Sequence, residues 1–142
     1  MKRTLTLTMA VTAALVLTAG SSDATERSGS LHVTKECSVY RFAAGDFCTI
    51  TSSNINAITA GMRVVYSSPA NLFLGVLDSD LVIDGPGNND AFGHVVLHLS
   101  SLSGVVTVSG GTGRFRRFHA AVAVTCPAFP ECSWDGTYRF TP

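Results

Sequence analysis

The sequence predicts an all-β fold, an eight-stranded antiparallel up-and-down β-barrel. Three observations predict it. Val, Ile, Thr, Tyr and Phe recur in short alternating runs. Brief connections rich in Gly, Pro, Asn and Ser separate those runs. Beyond the N-terminus no stretch keeps a 3.6-residue apolar period. Short connections force sequential runs to pair antiparallel, because a parallel crossover needs about a dozen residues or more. Eight such strands form either a sandwich or a closed cylinder, and closure removes exposed edges. An eight-stranded barrel has room for packed side chains or for one small ligand.

The first twenty residues, "MKRTLTLTMAVTAALVLTAG", place Lys2 and Arg3 before an uncharged, largely apolar, Thr-containing run followed by small residues. This is the pattern of a secretory signal, and the run is too short and too rich in Thr for a membrane span. Cleavage after Ala24 fits the small-x-small rule, with Gly20 the other candidate. The expected organisation is a signal over residues 1–24 and one barrel domain over residues 25–142, secreted and extracellular, with no membrane attachment after cleavage. The 118 remaining residues suffice for a core. They carry eight basic and nine acidic side chains, a balance that excludes electrostatic binding to nucleic acid or membrane.

The strands are expected, in order, at 31–42, 46–53, 62–68, 72–84, 91–101, 104–110, 114–126 and 132–141. Between them stand "AAGD", "SPAN", "DGPGNND", "SLSG", "GGTG" and "PAFPE". The longer "NINAITAG" (54–61) suggests a short helical turn or an irregular lid. Four cysteines, Cys37, Cys48, Cys126 and Cys132, follow the signal. An even number in an exported chain predicts two disulfides. Three pairings are possible. The local one is favoured because Cys37/Cys48 and Cys126/Cys132 each bracket a turn. No Cys-x-x-Cys is present, and the histidines lack ligand spacing to the cysteines, so no metal and no cofactor are expected.

The stretch "VVTVSGGTGRFRRFH" (105–119) interrupts an alternating run with glycines. A phosphate loop would need a Lys and a following helix, and a dinucleotide fingerprint a third glycine and a helix. What remains is a structural turn, with Gly110, Gly111 and Gly113 supplying positive φ between two strands. This turn, preceded by "GVVTV", resembles the signature turn of the dirigent and allene oxide cyclase-like β-barrels, the similarity covering about residues 91–125. The resemblance implies an eight-stranded antiparallel barrel with a central cavity, often oligomeric. It also implies steering of phenol radical coupling, or confinement of a hydrophobic substrate during ring closure, as in a cofactor-independent cyclase or isomerase. The chain departs from the dirigent pattern at "RFHAAV" and in its N-terminal third.

Candidate chemistry comes from strand geometry. Asp78 and Asp80 share one face about 7 Å apart, a pair suited to acid/base work if it faces the lumen and a solvated pair if it does not. Leu77, Leu81 and Ile83 hold the opposite, more apolar face. His94 and His98 lie about 13 Å apart on a strand, too far for one metal ion. Trp134, Tyr138 and Phe140 share a face that forms either plain core or a stacking wall for a flat apolar ligand, with the Tyr138 hydroxyl as polar handle. Arg114, Arg116 and Arg117 straddle both faces of their expected strand, so one of them, Arg117 among the catalytic candidates, is placed to enter the lumen; a solvated rim is the alternative. Asp84, Asn88, Asn89 and Asp90 supply oxygens without EF-hand spacing. No Gly-x-Ser-x-Gly elbow or free thiol offers a nucleophile.

These readings lead to a secreted barrel that binds, and sterically guides the reaction of, a small hydrophobic or phenolic molecule. The alternatives are a cofactor-independent cyclase or isomerase and a non-catalytic structural or interaction module, with a homo-oligomer compatible with each. The lumen separates them: wholly apolar for binding, apolar with one buried polar pair for catalysis, and filled with side chains for the structural module.

Overall fold

The computed structural model describes residues 27–142; the expected signal lies outside them. The eight strands are β1 (Ser28–Glu36), β2 (Phe47–Ser53), β3 (Arg63–Tyr66), β4 (Val76–Asp84), β5 (Asp90–His98), β6 (Ser103–Gly111), β7 (Phe118–Ala128) and β8 (Glu131–Phe140). Each pairs antiparallel with its sequence neighbour, and β1 pairs with β8 from Ser28–Arg139 to Glu36–Glu131, closing the barrel. Alternation decides what faces inward. In β1, Leu31, Val33 and Lys35 are buried, and in β4 Leu77, Ser79, Leu81 and Ile83 are. Among the described residues no helix is long and apolar enough to cross a membrane.

The strand bounds differ most from expectation in three places. The first strand ends at Glu36, not at residue 42, and residues 37–46 form the connection to β2. The fourth strand begins at Val76, not at residue 72, because Asn71 forms a local bridge with Val76 and accepts from the Leu74 amide through Oδ1, 2.9 Å away. Leu72, Phe73 and Leu74 thereby form a projecting loop. The seventh strand begins at Phe118, not at residue 114. Gly113 has φ +54° and opens a 3-10 turn, Gly113–Phe115, that drives Phe115 into the core. Arg114, Arg116 and Arg117 are consequently exposed on the rim, and none enters the lumen.

The glycine turn is structural, with one correction. Gly110 and Gly113 adopt positive φ, whereas Gly111 does not. Gly111 is required by closeness: a Cβ there would collide with the Asp90 carbonyl oxygen across the β5–β6 ladder. Thr112 and Asp90 exchange hydrogen bonds, and Asn89 Oδ1 accepts from the Arg114 amide at 2.9 Å. The turn is thus pinned to the "DGPGNND" loop.

Antiparallel up-and-down order sends the connections alternately to two ends. At one end lie 54–62, 85–89, 112–117 and both termini of the described chain. Ile55, Ile58 and Met62 of the irregular 54–62 segment are buried and, with Phe115 and Phe118, cork this end. At the other end lie 37–46, 67–75, 99–102 and 129–130. Both disulfides, Cys37–Cys48 and Cys126–Cys132, staple this second end in the local pairing favoured from sequence.

Candidate functional site

The stapled end holds a group not anticipated from sequence. Lys35 is the single lysine among the described residues, and it is only 3% exposed. Its position follows from alternation, two residues after Val33 on the inward face of β1, beside a bulge where Thr51 and Ser52 both oppose Thr34. The bulge keeps Lys35 in register with Ile50 on one side while Cys132 stands opposite on the other. The two disulfides therefore flank it, with Cys37 Sγ 4.0 Å from Cys132 Sγ.

Lys35 Nζ donates to Tyr66 Oη at 2.5 Å and sits 5.1 Å from the Trp134 ring centroid and 5.3 Å from that of Tyr66. The aromatic faces partly stabilise a cation. Among the described residues no carboxylate ion-pairs with it. Burial without a counter-ion favours the neutral amine and lowers its pKa from 10.5 to about 7. The same burial raises Tyr66, whose hydroxyl donates to Cys48 Sγ at 3.8 Å. Tyr40 packs against Tyr66 with centroids 5.1 Å apart and the rings tilted by 55°, and burial first, then the Asp46 charge, raises its pKa to about 12. The buried Tyr40 hydroxyl has no hydrogen-bond partner among the described residues.

These groups line a slot of about 30 Å³ whose walls include Phe42, Leu77, Leu97, Leu99 and Phe129. Since one water needs roughly 10–15 Å³, the slot takes a head group of a few atoms and no aromatic ring. Deeper in, Trp134 at 0% exposure fills the barrel axis. Around the mouth the connecting loops expose Val39 (50%), Leu72 (69%), Phe73 (96%), Leu74 (69%) and Phe129 (44%). Exposed apolar residues scattered singly are ordinary, but several of them in the loops of one barrel end, three consecutive, mark a contact surface.

The other sequence candidates lie elsewhere. Asp78 and Asp80 are on the outer wall, where His94 bridges them, Nε2 to Asp78 and Nδ1 to Asp80, each at 2.8 Å. The Asp80 hydrogen bond first, with further help from Asp78, raises the His94 pKa. His98 is also exposed on the outside. Arg117 stands with Arg27 and Arg114 beside a rim cavity of about 530 Å³ at the corked end. Tyr138 and Phe140 join Phe118 in an aromatic cluster, with centroids 5.2–6.1 Å apart. Trp134 and Tyr138 are therefore barrel core, and Phe140 is half-buried beside the rim cavity. Asn89 is engaged locally, its Nδ2 donating to the Pro86 carbonyl at 2.8 Å and its Oδ1 accepting from the Arg114 amide, and among the described residues no group of three His, Cys, Asp or Glu is placed to hold a metal. Comparison with family models, with curated proteins and with solved structures finds no match.

Proposed function

We propose that this chain is a secreted barrel that binds a small hydrophobic or aromatic molecule at the stapled mouth and guides its reaction. The single observation carrying this reading is the pairing of an apolar collar with a buried amine and two phenols at the slot's base. Apolar surface supplies affinity at roughly 25 cal/mol per Å² buried. The few polar groups orient the ligand. The occupant lies with its body on the collar and its polar end pointing down, because the slot excludes a ring. The two disulfides, which suit an oxidising compartment, and the expected leader support export. The similarity of residues 91–125 to dirigent-like barrels supports steering over bulk storage.

A second reading has its own support. Trp134 and its neighbours fill the mid-barrel, as a structural module would require. A panel of phenols, fatty alcohols and aryl acids, followed by thermal shift and by the fluorescence of Trp134, separates the two. The expected result is saturable binding that Phe73→Asp weakens at least roughly tenfold without moving the thermal midpoint, since Phe73 touches little of the core. Uniform absence of binding would favour the structural module.

A further inference from the structure

We propose that Lys35 captures carbonyl groups: it condenses with the aldehyde of an apolar molecule lying head-down in the stapled mouth, forming an imine. This inference rests on the mouth being a ligand site. It names the substrate class as a medium-chain aliphatic aldehyde.

Four observations converge on it. The first is geometric: Lys35 lines a slot of about 30 Å³ whose other walls are mostly apolar, with room beside it for a carbon and an oxygen but for little more. The second is the absence of a carboxylate partner among the described residues, which leaves the nitrogen lone pair unclaimed whenever the amine is neutral. Burial lowers its pKa to about 7, so near neutral pH far more of it is neutral and nucleophilic than of an ordinary lysine, which offers well under about 1%. The third is Tyr66, whose hydroxyl at 2.5 Å is placed to relay the proton that must travel from nitrogen to oxygen. The fourth is Tyr40, a slot-lining hydroxyl with no partner among the described residues and a donor for a carbonyl oxygen.

The step balances without a co-reactant. The Lys35 nitrogen lone pair attacks the carbonyl carbon, and the C=O π electrons move onto oxygen, held by Tyr40. One proton passes from nitrogen to that oxygen through Tyr66, giving a carbinolamine. Loss of water, with the second amine proton leaving as part of it, yields C=N. The products are one imine and one water. Besides Lys35, the titratable side chains lining the slot are Tyr40 and Tyr66; its four cysteines are oxidised.

The purified protein is incubated at pH 7 with nonanal and sodium cyanoborohydride, which reduces an imine to a stable secondary amine, and peptide mapping locates the nonyl group. The expected adduct is at Lys35, formed at least roughly tenfold faster than on N-acetyl-lysine in the same tube. Lys35→Met abolishes it, Lys35→Arg abolishes it while keeping a cation in place, and Tyr66→Phe slows it. Nonan-1-ol, which has the same chain and no carbonyl, is tested in parallel by thermal shift. If nonan-1-ol binds and nonanal marks only the α-amino group, the imine inference is overturned and ligand binding stands. If neither binds nor reacts, both are overturned.

Discussion

At the scale of single residues, Lys35 sets how the protein responds to pH. In the unfolded chain its pKa is ordinary, near 10.5; in the folded chain burial holds it at about 7. Below pH 7 both states carry the proton and the fold bears the whole cost of a buried cation. Between about 7 and 10.5 the unfolded chain binds a proton that the folded chain does not, so stability rises with pH. A depression of this size corresponds to roughly 5 kcal/mol. Above about pH 10 the trend reverses, because Tyr40 and Tyr66 ionise in the unfolded chain before they do so in the fold. Lys35→Met removes the cation and fills the same volume, so it is expected to stabilise the barrel by a few kcal/mol at pH 6 and to show no gain near pH 10. Urea denaturation of both proteins across that range measures it, and a constant difference between them would refute the assignment. This residue was legible in principle: "LHVTK" alternates Leu31, Val33, Lys35 inward, and no other lysine follows Lys2. A charge at an inward position is ordinarily taken as a strand end reaching solvent, and only the closure of β1 onto β8 shows that this one does not. Asp78 and Asp80 were placed on the wall opposite Leu77, Leu81 and Ile83 by the same alternation; their clamp on His94 requires the β4–β5 register.

At the scale of elements, turns and staples divide the work. The strands were legible because alternation and glycine punctuation agree, but several boundaries were not, the end of β1 at Glu36 among them. "LFLG" has strand propensity, and no local signal tells an exposed apolar loop from the start of a buried run. "RFRRF" alternates as a strand would, yet the positive φ of Gly113 turns it into a 3-10 corner. Gly111 depends on the approach of Asp90, a long-range fact that composition does not hold. Gly111→Ala is therefore expected to cost about 1–3 kcal/mol, through displacement of the β5–β6 ladder, while a substitution at Gly45, where a Cβ meets nothing, is penalised only through its φ of +84°. Removing the Cys126–Cys132 staple by double substitution to Ser is expected to cost roughly 2 kcal/mol by loop entropy. Equilibrium unfolding in urea measures both; a neutral Gly111→Ala would show that the ladder can give way there.

At the scale of the whole molecule, the closed ladder is uneven, and the weak stretch adjoins the amine. β1 and β8 pair from Ser28–Arg139 to Glu36–Glu131, and β7 and β8 from Phe118–Phe140 to Ala128–Glu131. By contrast the register of β3 with β2 runs from Phe47–Val65 to Thr49–Arg63, extended by the bonds of Ile50 with Gly61 and Met62 and of Tyr66 with Gly45 and Asp46, and that with β4 from Arg63–Asp84 to Tyr66–Leu81. Local opening draws on the least supported element, because the free energy of opening falls with the number of ladder bonds and apolar contacts that must be given up. β3 carries Tyr66, so its opening separates the phenol from Lys35 and widens the slot from the side, without disturbing the disulfides that fix β1 to β2 and β7 to β8. Native-state hydrogen exchange is therefore expected to show the amides of Val64, Val65 and Tyr66 exchanging roughly ten- to a hundredfold faster than those of Val122, Val124 and Trp134. A ligand seated on Lys35 and Tyr66 should narrow that gap, since it binds the closed form and not the open one. Equal protection around the cylinder would mean that the barrel opens only as a unit, and that any ligand reaches the amine through the collar alone.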